Sequence, residues 1–111
     1  MTTKNPVTLA GMQKGGTVYL LTNVLKSVLY TGVTSNLHHR VQQHRDKVYP
    51  ESFTARYNVI YLMYYRNFSS ITEAIAEEKR IKAGSRKQKC ALINSINPYW
   101  KDLWEEDVSK W

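Results

Sequence analysis

The chain has 111 residues, 42% of them hydrophobic, which allows one small domain with a modest core. Its single cysteine, Cys90, excludes an internal disulfide framework and favours a reducing, cytoplasmic location; no apolar run approaches the ~20 residues of a membrane-spanning helix. The formal net charge of +7 favours a polyanionic partner, nucleic acid ahead of an acidic membrane surface, although many small proteins are basic for solubility alone.

The first predicted element is a β-hairpin. Two runs of β-branched and aromatic residues, 16–21 and 28–32, flank a segment that contains Asn, Lys and Ser, which is a hairpin signal. If the hairpin is symmetric about its centre, Tyr19 lies directly opposite Tyr30, and alternation along the strands places both phenols on one face. The pair is then either ordinary strand packing or part of a site.

A helix is predicted over residues 37–45, preceded by N-cap candidates. At helical spacing, Arg40 and His44 lie one turn apart on the same face as two apolar residues. A cation and an imidazole beside an apolar seam are costly unless something uses them, so both are candidate site residues. His38 and His39 diverge by about 100° around the helix axis and are expected at the surface.

The next strand is predicted over residues 59–65, after a loop of residues 47–54 that contains Pro50. Its apolar residues fall on both alternating sets, which is typical of a strand buried on both faces. We therefore expect this strand at the centre of the sheet.

A capping box of Ser70 and Glu73 begins a second long helix, and Gly84 ends it. The apolar residues of this helix share one face, whose centre falls almost on Glu78. A carboxylate in a buried stripe must be paired, protonated or bound to a metal. A salt bridge to Arg40 or another base, or a metal site, would explain its position.

The last long helix is predicted over residues 86–96, with a second capping box at Ser85 and Gln88. We expect it to turn Leu92, Ile93 and Ile96 inward and Arg86, Lys87 and Lys89 outward.

The two ends of the chain are expected to differ from this body. Residues 1–14 are polar, without the apolar segment of a secretory signal, and predict a loose arm. Trp100 and Trp104 are expected to pack back onto the body. The acidic residues 105–111 that follow them predict a frayed tail.

Several of these segments, in this order, resemble the GIY-YIG endonuclease superfamily, most closely its small single-domain members, which are similar to the nuclease module of the bacterial excision-repair incision enzyme. Thr17-Val18-Tyr19 stands where the family has Gly-Ile-Tyr, and Tyr30-Thr31-Gly32 where it has Tyr-Ile-Gly. Further matching segments are residues 33–37 with Arg40 and His44, residues 53–58, residues 78–82 and residues 92–100. The resemblance covers residues 15–104. It implies one α+β domain with a three-stranded antiparallel sheet flanked by helices, in the order ββαβαα.

The resemblance also implies a divalent-metal-dependent endonuclease that hydrolyses DNA phosphodiester bonds in repair or recombination. In the family pattern, Tyr19 is the general base or positions the attacking water, and Tyr30 lies beside it at the phosphate. Arg40 holds a phosphate oxygen, and His44 moves protons or orients the nucleophile. Glu78 is the only protein ligand of one Mg²⁺ or Mn²⁺ ion, which suits a cation that keeps several waters and takes other ligands from the substrate.

Basic and aromatic residues around these positions are expected to follow the DNA backbone. Two of them precede the third strand and six lie on the last two long helices: Arg56, Tyr57, Lys79, Arg80, Lys82, Arg86, Lys87 and Lys89. The strand structure of the substrate (unpaired, duplex or branched) stays open, and we expect a monomer.

The chain departs from the family pattern at three places. Thr17 replaces the first glycine, Val33 stands where the repair nuclease has lysine, and the asparagine that braces the site in many relatives is missing after Pro98. Asn94 and Asn97 both stay open as its substitute. Two other functions also stay open: a nucleic-acid-binding module of the same fold without cleavage, and a protein-interaction domain that uses the acidic, Trp-rich tail.

Overall fold

A computed structural model describes residues 15–111, so the predicted arm of residues 1–14 lies outside the described part. The strands are β1 (Gly16–Thr22), β2 (Leu29–Thr34) and β3 (Tyr61–Phe68). The helices are α1 (Leu37–Arg45), α2 (Phe53–Arg56), α3 (Ile71–Ala83), α4 (Arg86–Ile96) and α5 (Leu103–Glu106), and a 3₁₀ turn (Val108–Lys110) follows. The predicted three-stranded antiparallel sheet with flanking helices is confirmed, and two short helices, α2 and α5, add to the predicted order.

The strand order is β2-β1-β3, so β1 is central and the prediction of a central β3 is wrong. All seven residues of β1 are buried. In β3, residues 62–64 are buried, whereas Arg66 and Asn67 are exposed. Apolar residues on both alternating sets indicate that helices cover both faces of a strand, but they carry no information about its hydrogen-bonded edges.

The hairpin pairs Tyr19 with Gly32 and Leu21 with Tyr30, so the predicted register is wrong by two residues. The Asn23 side chain accounts for the shift, because its Oδ1 accepts two backbone N–H bonds from the far side of the loop, at 2.9 and 3.4 Å. A slip of two residues preserves the alternation of side chains. Both phenols therefore stay on one face, as diagonal neighbours with ring centroids 6.4 Å apart.

Helices cover both faces of the sheet. On one face, Tyr19 and Leu21 pack with Val41 of α1 and with Trp104 and Val108 near the end of the chain. On the other face, the core residues come from β1, α3 and α4: Val18, Leu20, Ala74, Ile81 and Ile93. Because β1 supplies both faces, both hydrophobic clusters are organised around it.

Residues 105–111 do not fray as predicted. Val108 is completely buried, and three acids near it are paired within the protein. Arg45 bonds Asp102 at 2.9 Å and Glu105 at 3.3 Å, and Asp107 accepts from the Tyr65 hydroxyl. The acidic composition predicted fraying because it does not show that Val108 is buried or that Arg45 pairs with Asp102 and Glu105. Val108 and Glu105, which a protein-interaction tail would present to a partner, are therefore already in contact with the rest of the protein.

On α4, the capping box of Ser85 and Gln88 is present as predicted, and Ile93 is buried. Ile96, which was expected inward, is 53% exposed, so α4 touches the sheet through a narrower stripe than the periodicity suggested. None of the helices within residues 15–111 is long and apolar enough to cross a membrane.

Candidate active site

The centre of the candidate site is Tyr19, a buried side chain in the middle of the central strand. Its ring lies across Gly32 of the neighbouring strand. A Cβ atom added at Gly32 would overlap Cζ and Oη of Tyr19, so any side chain there would displace the phenol. The glycine of the Tyr30-Thr31-Gly32 motif is therefore required by close approach.

A chain of three buried polar side chains begins at this phenol. Tyr19 Oη lies 3.0 Å from Nε2 of His44 on α1. His44 Nδ1 lies 3.0 Å from Oγ1 of Thr54 on α2. A neutral imidazole has one N–H and one free lone pair, so one of its nitrogens donates to its neighbour while the other accepts.

Burial sets the protonation of this pair. Desolvation raises the pKa of Tyr19 from 10.0 to about 12; the Tyr30 and Glu78 charges add to the shift and Arg40 opposes it. Desolvation lowers the pKa of His44 from 6.5 to about 4, and the Arg40 charge adds to that shift. At neutral pH, Tyr19 is therefore protonated and His44 is neutral.

The lowered pKa of His44 predicts a pH-dependent stability. Between pH 6.5 and about 4, His44 binds a proton in the unfolded chain but stays neutral in the folded chain. The free energy of unfolding is therefore expected to fall as the pH drops through this window, by about 3 kcal/mol at its acid end. Chemical denaturation across the window measures the slope. In His44→Gln, which cannot protonate, this part of the slope should vanish, and an unchanged slope in the variant would contradict the assignment.

Tyr30 and Arg40 lie beside the Tyr19–His44 pair. The Tyr30 ring centroid is 5.7 Å from that of His44. The Arg40 guanidinium donates to Oε1 of Gln43 at 3.2 Å and lies 5.6 Å from the centroid of the Tyr49 ring. Its charge acts on the pKa of both Tyr19 and His44, so a fixed positive charge faces both groups.

Glu78 is 8% exposed, in agreement with its place in the apolar stripe. Its partner is Lys82 one turn later on α3, whose Nζ lies 2.6 Å from Oε2. The hydrogen bond to Glu78 raises the pKa of Lys82. Of the alternatives considered for Glu78, the structure therefore shows a salt bridge to a base other than Arg40. The Glu78 charge also contributes, as the smallest of the causes, to the raised pKa of Tyr19.

Glu78 is the group that could hold a metal ion. Among residues 15–111, no three His, Cys, Asp or Glu side chains come together as a metal site. A buried carboxylate suits a hard cation such as Mg²⁺, which binds to one or two carboxylates and keeps its other positions for water and phosphate oxygens. A cation there would have to displace the Lys82 ammonium from Oε2. It does not fit a structural zinc site, which needs four protein ligands.

The residues predicted to contact DNA differ in how far other protein groups already bind their side chains. Several are already held in place: Arg86 donates to two carbonyl oxygens of the hairpin loop, Lys89 to the carbonyl oxygen of Gly84 at 2.6 Å, and Arg80 pairs with Glu77. Within the described residues, the exposed Lys79 and Lys87 make no side-chain hydrogen bond or ion pair. Arg56 and Tyr57, both exposed, lie at the end of α2.

One residue of the site was not singled out from the sequence, and one of the two candidate bracing asparagines is buried. Thr54, the partner of His44, lies in a stretch expected to be a loop; the N-cap residue Ser52 and the match of residues 53–58 were the available signals. Asn97 is the buried member of the two candidate asparagines. Its Nδ2 donates to the carbonyl oxygens of Met63 at 3.1 Å and of Lys101 at 2.8 Å, and so ties the end of α4 to β3.

Several known proteins are similar to this chain in sequence or in fold. Residues 15–91 match the family model described as the GIY-YIG catalytic domain. A UPF0213 protein of Oceanobacillus iheyensis is 38% identical over 65 residues, 59% of this chain and 74% of the relative. A UPF0213 protein of Clostridium perfringens is 34% identical over 82 residues, 74% of this chain and 82% of the relative. The solution NMR structure of a UPF0213 protein from Bacillus halodurans has a TM-score of 0.51 and 24% identity, over 84% of this chain and 97% of that one, and it shows the shared fold.

Proposed function

Because this chain belongs to the GIY-YIG catalytic domain family, we propose that it is a divalent-metal-dependent endonuclease that hydrolyses phosphodiester bonds in DNA. The observation that carries the proposal is the buried chain from Tyr19 through His44 to Thr54, together with the charges of Arg40 and of the buried Glu78 that act on Tyr19. A module that only binds nucleic acid needs exposed cations and aromatic rings. It gains nothing from a buried carboxylate and a desolvated phenol, which cost folding free energy.

Tyr19 and His44 provide a route for the proton of an attacking water. With a pKa near 12, the Tyr19 hydroxyl holds its proton at neutral pH. It therefore acts as a base only by passing that proton to Nε2 of His44, 3.0 Å away, while it accepts the proton of the water. His44 can accept because it is neutral, and Thr54 then accepts from the Nδ1–H group. The contact with Thr54 is therefore compatible with the tautomer that the transfer needs.

Arg40 and Glu78 supply the remaining parts. Arg40 places fixed positive charge where the phosphorus centre gathers negative charge in the transition state. Glu78 would hold the Mg²⁺ or Mn²⁺ ion, which supplies Lewis-acid stabilisation and a more acidic bound water. The Lys82 ammonium now occupies the Glu78 carboxylate, so it competes with a cation for the same oxygen. Action in DNA repair or recombination, in the cytoplasm and as a monomer, completes the proposal.

The test is a cleavage assay on single-stranded, duplex and flapped DNA with Mg²⁺ or Mn²⁺, and with chelator as the blank. We expect products from the wild type only in the presence of metal, and DNA affinity that falls steeply with salt because binding releases counterions. A wild type that binds DNA but cleaves none of these substrates would support the binding module. Absence of binding at low salt would exclude a DNA partner altogether.

A further inference from the structure

We propose that Phe53 and Tyr57 form an aromatic platform on which an unpaired nucleobase of the substrate stacks, next to the site where the strand is cut. The inference rests on the proposed nuclease function and names its substrate class: DNA with unpaired nucleotides, in preference to a continuous duplex. The platform is carried by α2, the short helix that was expected to be a loop.

The exposed rings are concentrated in one stretch of the chain. Of the ten large hydrophobic side chains exposed in the described residues, four lie between residues 48 and 57. Phe53 is 48% and Tyr57 is 51% exposed, and their ring centroids are 4.9 Å apart. The two ring planes are tilted by 46°, so a base can stack on the face of one ring while the other ring borders it. Adjacent exposed rings of this kind are characteristic of a ligand-binding or partner-binding surface.

The charges around these rings favour a nucleic acid as the occupant. Arg56 lies 5.8 Å from the centroid of the Tyr57 ring, and Arg40 lies 5.6 Å from that of Tyr49. Aromatic rings beside arginines are the combination that binds single-stranded nucleic acids, since the rings stack on bases and the guanidinium groups contact phosphates. Lys47 and Arg56 outnumber Glu51 in residues 47–58.

One helix joins the platform to the chemistry. Phe53 and Tyr57 are one turn apart and turn outward, whereas Thr54 between them is buried and contacts Nδ1 of His44 at 3.0 Å. Ser52 caps this turn through the backbone N–H of Ala55. A base held on the platform therefore belongs to a nucleotide close to the phosphate that Tyr19 and Arg40 face.

The occupant must be an unpaired base. In a continuous duplex, both faces of each base are covered by its neighbours in the stack. A base in a single strand, flap or gap can expose a face, and aromatic side chains then stack on it without regard to sequence. The apolar side chain of a protein partner is the competing occupant, and the experiment below separates the two.

The experiment measures binding in chelator, where no cleavage occurs. Single-stranded and duplex oligonucleotides of equal length are titrated by fluorescence anisotropy against the wild type, Phe53→Leu and Tyr57→Leu. We expect the wild type to prefer the single strand, and each leucine variant, which keeps apolar bulk but lacks the ring, to raise the single-strand Kd about tenfold. Phe53→Trp and Tyr57→Phe keep an aromatic ring, so they should bind the single strand with a Kd close to that of the wild type. Tyr99→Leu, which removes a ring that is 83% exposed beyond α4, is the matched control.

A second measurement does not depend on the folding of any variant. An oligonucleotide that carries 2-aminopurine should lose fluorescence when wild-type protein binds, because stacking on an aromatic ring quenches the base analogue. Absence of quenching in the bound state, or leucine variants that bind single strands as tightly as the wild type, would overturn the platform. Such results would favour a protein occupant and leave the nuclease proposal intact, provided that the wild type still cleaves DNA with metal. Failure to bind any DNA at low salt would overturn both.

Discussion

Glu78→Gln is expected to lower the rate of DNA cleavage roughly a thousandfold or more and to lower the melting temperature by no more than about 5 °C. The variant keeps the size of the side chain but removes the negative charge that would hold the metal. DNA binding should be retained or slightly tightened, because one negative charge near the phosphate is gone. Loss of rate without loss of binding separates a catalyst from a binding module.

The stability expectation follows from the partner that the structure gives Glu78. A bridge to a buried Arg40 would leave an unpaired buried cation in the variant and cost roughly 3–5 kcal/mol. The actual partner, Lys82, has a side chain that is 60% exposed. Once its partner is gone, the ammonium group can return to water, so the cost is expected to stay within about 1 kcal/mol.

Glu77→Gln is the matched control for this prediction. It removes a neighbouring carboxylate of α3 that pairs with Arg80 rather than with Lys82, and we expect it to cleave at the wild-type rate. Cleavage rates and thermal unfolding are measured for both variants. A large fall in melting temperature for Glu78→Gln would show that the carboxylate is structural. Equal loss of rate in both variants would show that the effect on cleavage is not specific to Glu78.

Tyr19→Phe is expected to lower the cleavage rate roughly a hundredfold or more, because the phenol oxygen is the proposed path of the proton to His44. The ring and its packing against Gly32 remain. The variant leaves one nitrogen of His44 without its partner at 3.0 Å, which costs about 1–3 kcal/mol of stability. Substrate binding, measured in chelator, should be unaffected.

Tyr64→Phe is the control for loss of a hydroxyl from a largely buried tyrosine. Tyr64 belongs to the hydrophobic cluster on the opposite face of the sheet. It should therefore change stability at most, without effect on the rate. A Tyr19→Phe variant that cleaves as fast as the wild type would exclude proton transfer through Tyr19. The attacking water would then have to give its proton to another group.

The sequence by itself determined features that depend on neighbours along the chain. The helix starts are examples: Ser70 and Ser85 each accept from the backbone N–H three residues later, as predicted, and Asn36, one of three N-cap candidates before α1, does the same. The burial of Glu78 followed from helical periodicity in the same way. Its pairing with Lys82, four residues later, was also within reach of the sequence, because side chains at this spacing share a helix face.

The tertiary structure decided which distant segments meet. The phenol of Tyr19 and the imidazole of His44 are 25 residues apart, and Thr54 reaches that imidazole from a different helix. The central position of β1 and the docking of Val108 likewise depend on how the layers pack. Local propensity and periodicity describe a residue's own turn or strand; they do not specify which other segment covers its buried face. For this reason the candidate residues could be chosen from the sequence, while their hydrogen bonds and their electrostatic surroundings emerged only from the folded chain.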